Sequence, residues 1–129
     1  MRYWKRALLY GLLTWLIPFV VAVPFFSKDG TLLVDVFLFK SIMIVVGSLV
    51  GLALIVGYFK RVNRAFLREG TLIGSIWLLM NWVFDFIYFV LITEMAMATY
   101  FIQIGIRYLT IPIYSIAIGL LLKNKLSSD

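Results

Sequence analysis

The chain has 129 residues, of which 64% are hydrophobic and 14% are charged, whereas about a quarter of the residues in a typical soluble domain are charged. So few charges cannot cover a water-soluble surface, which argues against a soluble enzyme and against a soluble nucleic-acid-binding protein. The chain has no cysteine and no histidine, so thiol chemistry, histidine general bases and zinc-thiolate sites are excluded. The net charge of +6 is first interpreted as an orientation signal in a membrane.

Four apolar segments follow one another with short connections between them. About 20 helical residues cross the hydrocarbon of a bilayer, and each segment reaches that length with at most two charged residues inside it. We therefore predict an all-α fold, an integral membrane bundle of four transmembrane helices with short loops, in a single domain over residues 1–129. The predicted spans are residues 7–26, 33–59, 71–93 and 102–122.

The basic residues are distributed unevenly along these segments. Nine of the twelve lysines and arginines fall in the parts of the chain that lie on one side of a four-span bundle. Cytoplasmic segments carry the excess of basic residues in multi-pass membrane proteins. We therefore predict a protein of the cell membrane with both termini in the cytoplasm. The nine residues are Arg2, Lys5, Arg6, Lys60, Arg61, Arg64, Arg68, Lys123 and Lys125.

Three charged residues lie deep inside the predicted spans, whereas Asp35 is near the end of the second span; a charge costs about 2.5–3.5 kcal/mol at the helix centre. At about 1.5 Å per residue, Lys40, Asp85 and Arg107 all fall roughly 8–12 Å below the outer ends of their spans. Helical spacing adds further polar residues to the faces of Asp85 and Arg107. We predict an outward-facing intramembrane polar pocket. Its ligand-binding residues are Lys40, Asn81, Asp85, Gln103, Arg107, Thr110 and Tyr114.

One carboxylate facing two cations leaves an excess of positive charge, which favours an anionic ligand. We expect a protein that binds or translocates a small ion or solute without a cofactor or a bound metal. Alternatively, it is a non-catalytic membrane partner or assembly protein, in which Asp85 pairs with Lys40 or Arg107 only to hold the helices together. No deep carboxylate pair, phosphate loop or serine elbow occurs in the sequence, so we do not expect an enzyme.

Two sequence patterns indicate partners. The basic connector with Lys60, Arg61, Arg64 and Arg68 is typical of contact with anionic lipid headgroups, and no pattern for binding nucleic acid accompanies it. Small residues spaced four apart allow helices to approach closely, either within the chain or in a homo-oligomer. These pairs are Gly47 with Gly51, Gly70 with Gly74, and Ser115 with Gly119.

Overall fold

A computed structural model describes residues 3–92, 94 and 96–127, without the side chains of Val90, Ile92, Gln103 and Ser127. Arg2 and the predicted end of the third span at Thr93 lie outside the described residues. Extended structure in the described part of the chain is confined to one bridge between Phe26 and Leu32. The five α-helices in that part are α1 (Trp4–Ala22), α2 (Val36–Phe59), α3 (Phe66–Asp85), α4 (Met97–Gln103) and α5 (Thr110–Leu122).

Several helices continue in a different helical geometry. Short 3-10 segments follow α1 and precede α5, and π-helical segments follow α3 and α5. With these extensions, four helices are long and apolar enough to cross a membrane. The all-α prediction is confirmed, and the four helices make this a membrane protein. The spans are Trp4–Phe25, Val36–Phe59, Phe66–Phe89 and Gly105–Leu126.

The four spans form a ring in which α1 packs against α2 and α3, and α5 packs against α3 and less extensively against α2. At one end of the ring, the Tyr3 and Tyr58 rings meet edge to face, and the Arg6 guanidinium donates a 3.3 Å hydrogen bond to the Gly57 carbonyl. Gly119 on α5 lies against Phe66 and Leu67 at the start of α3, so the start of α1, the α2–α3 connector and the end of α5 lie together. The basic residues of these three segments share this end of the bundle.

The tightest packing joins α3 to α5 through small residues. A Cβ atom added to Gly70 would lie 3.1 Å from the Ser115 carbonyl carbon, and one added to Gly119 would lie 2.5 Å from the Phe66 carbonyl oxygen. Only hydrogen atoms fit between these backbones, so the two small-residue pairs bring the helices into contact as predicted. An added Cβ at Gly47 or Gly51 meets no atom within 4 Å, so the GxxxG pair of α2 makes no close helix contact in the part of the chain that the structure describes.

Two aspartates shape the connection between α1 and α2. The Asp35 carboxylate caps α2 by accepting hydrogen bonds from the Phe37 and Leu38 amides at 3.0 and 3.1 Å. In the preceding turn, the Ser27 hydroxyl donates to the Asp29 carboxylate, and this hydrogen bond is the main reason that the pKa of Asp29 lies below its ordinary value. Both carboxylates thus act locally, outside the interior of the bundle.

Candidate intramembrane polar site

Asp85 lies at the point where α3 stops being a regular α-helix. It is the last residue of α3, and a π-helical segment, Phe86–Ile92, follows directly. Asp85 is a charged residue inside the third membrane-spanning helix, and only 1% of its surface is exposed. π-Helical segments are rare and occur frequently at functional sites, so this junction is the first candidate for one.

Three neutral donors converge on the Asp85 carboxylate. The Trp15 indole donates to Oδ1 at 2.5 Å, and the Tyr100 hydroxyl donates to Oδ2 at 2.8 Å. The Tyr108 hydroxyl also hydrogen-bonds this carboxylate. Burying a carboxylate is costly unless donors replace the lost water, and these three side chains supply them. The donors come from α1, α4 and the 3-10 segment before α5, so one carboxylate connects three parts of the fold.

Arg107 brings a positive charge to this cluster. Its guanidinium interacts electrostatically with Asp85, Tyr100 and Tyr108. Lys40 is half-buried on α2, a helix with few contacts to α3, and among the described residues it is not one of the charges acting on Asp85. The carboxylate therefore faces one cation rather than two. The excess positive charge on which the expectation of an anionic ligand depends is absent from its surroundings.

The fourth membrane-spanning helix begins with irregular backbone next to Asp85. The helix α4 ends at Gln103, and a 3-10 segment, Gly105–Leu109, leads into α5. The Trp82 indole donates a 2.9 Å hydrogen bond to the Gly105 carbonyl at this break. A Cβ on Gly105 would lie 2.9 Å from the Tyr100 ring, so only glycine allows the chain to fold this closely. The break places Tyr100 and Tyr108, on its two sides, within reach of the same carboxylate.

Asn81 lies one helical turn from Asp85 on α3 and is completely buried. Its side-chain amide donates to the Thr14 hydroxyl and to the Trp77 carbonyl, both at 2.8 Å. Its Oδ1 atom has no hydrogen-bond partner in the part of the chain that the structure describes. Buried polar atoms are nearly always hydrogen-bonded, and an amide oxygen can only accept. This position is therefore suited to a hydrogen-bond donor or a cation.

The other predicted site residues are placed differently. The Thr110 hydroxyl donates to the Arg107 carbonyl at 2.9 Å, which helps to start α5 after the break. The Tyr114 hydroxyl is 3.2 Å from the Ser48 hydroxyl, so it joins α5 to α2 and not to the Asp85 cluster. The side chain of Gln103 lies outside the described residues. Asn81, Asp85 and Arg107 are thus the predicted residues that share one region.

Sequence reasoning missed four residues of this region. Trp15, Tyr100 and Tyr108 donate to Asp85, and Thr14 accepts from Asn81. Tryptophan and tyrosine are abundant in this chain and are expected at membrane interfaces, so their presence alone carries little information. The one available signal was that Trp15 and Tyr108 fall within a few residues of the estimated depth of Asp85 in the predicted spans, whereas Tyr100 lies outside them.

An apolar cavity of about 290 Å³ lies next to the cluster. Trp82, Phe86 and Phe101 contribute to its wall, and so does the ring of Tyr100, whose hydroxyl is bonded to Asp85. Asp85 itself does not line this cavity. The polar groups are therefore packed against each other beside an apolar space.

The chain was compared with protein-family models, with curated proteins and with solved structures, and none of the three comparisons gives a match. A function therefore has to be argued from the site itself. The described residues contain no group of three or more histidine, cysteine, aspartate or glutamate side chains that could hold a metal ion. What the site offers is one buried carboxylate, its ring of donors, one guanidinium and one buried acceptor.

Proposed function

We propose that this protein binds or translocates a small ion or solute at the Asp85 site, within the cell membrane and with both termini in the cytoplasm. The observation that carries the proposal is a 1% exposed carboxylate at a junction where two membrane-spanning helices lose α-helical geometry. Intramembrane carboxylates are costly and usually mark ion or proton pathways. Irregular backbone at membrane depth is tolerated where protein or a cavity surrounds it, as in the broken helices of transporters.

The surroundings of the site favour a cationic or hydrogen-bond-donating ligand. Among the described residues, Arg107 is the one cation that acts on Asp85, and it balances the carboxylate without leaving an excess positive charge to attract an anion. The buried Oδ1 of Asn81 accepts and cannot donate. A monovalent cation, an ammonium group or a proton would satisfy this atom and be stabilised by the carboxylate one turn away.

The test is a ligand-dependent stabilisation of the full-length chain in maltoside micelles. The melting temperature is measured while sodium, potassium or ammonium is added at constant ionic strength and at several pH values. A ligand present at 100 times its Kd stabilises a protein by about 2.7 kcal/mol. We expect a saturable rise for the wild type and for Asp29→Asn, a control in the exposed turn. We expect no rise for Asp85→Asn and a weaker response for Asn81→Leu.

The second candidate is a non-catalytic membrane partner, and it is favoured by the complete set of donors on Asp85. A carboxylate that accepts from Trp15, Tyr100 and Tyr108 already stabilises the packing of three segments without any ligand. In that case, Asp85→Asn lowers the melting temperature, and every cation or pH response remains equal to that of the wild type. This outcome would refute the proposed ligand site.

The proposal includes the bilayer and a second copy of the chain as partners, and it assigns no catalytic residue, cofactor or nucleic acid. As a group of exposed basic residues, Lys60, Arg61, Arg64 and Arg68 are expected to attract anionic headgroups through their overall charge, which does not require a specific binding site. The face of α2 at Gly47, where an added Cβ meets no atom within 4 Å, is suited to close packing against another helix in a homo-oligomer. Light scattering of the purified chain would measure the oligomeric state, and a monomer would refute this last part.

A further inference from the structure

A second cavity lies at the basic end of the bundle, at the opposite end of α3 from Asp85. It has a volume of about 200 Å³, and its lining includes Asn63, Arg64, Arg68 and Glu69. The connector that forms it runs between the spans that end at Phe59 and begin at Phe66. When these spans cross a bilayer, the cavity lies at the level of the lipid headgroups.

The charged groups in the lining do not neutralise one another. Arg64 and Arg68 are exposed, and within the described residues neither guanidinium has a hydrogen bond or an ion pair. The Glu69 carboxylate accepts a 3.3 Å hydrogen bond from the hydroxyl of Tyr58, which is completely buried. Two guanidinium groups and one carboxylate leave the cavity with a single excess positive charge.

The other basic residues at this end differ from this pair. The Arg6 guanidinium donates to the Tyr10 hydroxyl at 2.9 Å and lies 5.1 Å from the centre of that ring, so it is engaged in helix packing. Lys60 and Arg61 belong to the same connector and are exposed, but they do not line the cavity. Lys60 and Arg61 therefore provide a control with the same charge and nearly the same position in the chain.

We propose that this cavity is a binding site for a phosphate diester that carries one negative charge, supplied by the headgroup of an anionic lipid. Arginine side chains bind phosphate oxygens through paired N–H groups, and the Asn63 amide adds a further donor. A monoanionic diester would neutralise the single excess charge of the lining. The proposal goes beyond a general attraction to anionic lipids, because it assigns the binding to Arg64 and Arg68 and not to their neighbours. It does not depend on the Asp85 site.

The test compares the full-length wild type with two double variants, R64Q/R68Q and K60Q/R61Q, in maltoside micelles. The melting temperature is followed while phosphatidylglycerol is added at constant ionic strength, with phosphatidylcholine as the lipid of zero net charge. A third titration uses inorganic phosphate, which separates a free phosphate from a lipid headgroup. All four substituted residues are exposed, so both variants should fold, and their melting temperatures without lipid verify this. The single variant R68Q serves as a milder second test.

We expect a saturable stabilisation by phosphatidylglycerol in the wild type and in K60Q/R61Q. In R64Q/R68Q the apparent affinity should fall at least about tenfold, which corresponds to the loss of one charged hydrogen bond. An equal stabilisation by inorganic phosphate that depends on Arg64 and Arg68 would retain the phosphate site and overturn the lipid as its source. An equal loss in the two double variants would overturn the site, and the same response to both lipids would overturn an anionic lipid as its ligand.

Discussion

Replacing Gly70 by alanine should destabilise the bundle, although alanine is the better helix former. The added Cβ would lie 3.1 Å from the Ser115 carbonyl carbon, 3.4 Å from Gly119 Cα and closer still to the Ser115 carbonyl oxygen. These are backbone atoms that cannot rotate away, so α3 and α5 must separate. Overpacking of this kind typically costs about 1–3 kcal/mol, and alanine recovers about 1 kcal/mol of helix propensity.

Gly47→Ala is the matched control for this prediction. It adds the same methyl group to a membrane-spanning helix, but within one chain the methyl group meets no atom within 4 Å. Both variants are compared at a dilution at which the chain is monomeric, so that a contact with a second copy does not contribute. Because both variants gain the same helix propensity, the difference between their free energies of unfolding isolates the clash. We expect Gly70→Ala to be less stable than Gly47→Ala by about 1–3 kcal/mol. Circular dichroism during titration with dodecyl sulfate in mixed micelles measures both values. Equal stabilities, or a more stable Gly70→Ala, would refute the packing argument.

Three further predictions concern the start of α2, the break after α4 and the turn between α1 and α2. Asp35→Ala removes the cap of α2 and should cost about 0.5–2 kcal/mol in the same unfolding assay. Asp35→Asn should retain most of the stability, because asparagine is also a good N-cap residue. Equal losses of stability in the two variants would contradict the capping role. Trp82→Phe removes the hydrogen bond to the Gly105 carbonyl, so amide hydrogen exchange should become faster at the break between α4 and α5. An unchanged exchange rate would argue against this contact. The hydrogen bond from Ser27 lowers the pKa of Asp29. The ionised Asp29 carboxylate should therefore stabilise the turn above about pH 4, and this stabilisation should disappear as the pH falls through the lowered pKa. Carboxyl chemical shifts measured against pH would show this, and a pKa at or above the ordinary value would be inconsistent with it.

The predicted spans agree with the observed helices because the bilayer imposes a simple requirement on composition and length. The second predicted span, residues 33–59, ends where α2 ends, and the charged Asp35 at its start is the helix cap. The third helix begins at Phe66, five residues before the predicted start, because Arg68 and Glu69 are good helix formers despite their charge. The fourth region differs most, since α4 and a 3-10 segment precede α5. Sequence hydropathy carries no signal for such a break.

The candidate site shows a similar division. Asp85 and Arg107 were identified because a charge inside an apolar segment is conspicuous in any sequence, and the depth estimate correctly placed them near each other. Lys40 was assigned to the same level by the same estimate, but depth does not specify which helices are neighbours. In the ring of spans, α2 packs mainly against α1, and among the described residues Lys40 is not one of the charges that act on Asp85.

Composition and spacing alone thus determined that this is an all-α membrane protein with four spans, with its basic residues concentrated at one end and a single deep carboxylate. These properties follow from the cost of placing charges and unpaired backbone groups in hydrocarbon, which acts on each segment separately. Only the tertiary structure decided that Trp15, Tyr100 and Tyr108 converge on Asp85, and that Arg64 and Arg68 share a cavity from which Lys60 and Arg61 are absent. Such groupings depend on which helices are neighbours and how they are rotated, and those features are set by side-chain packing between segments distant in the chain.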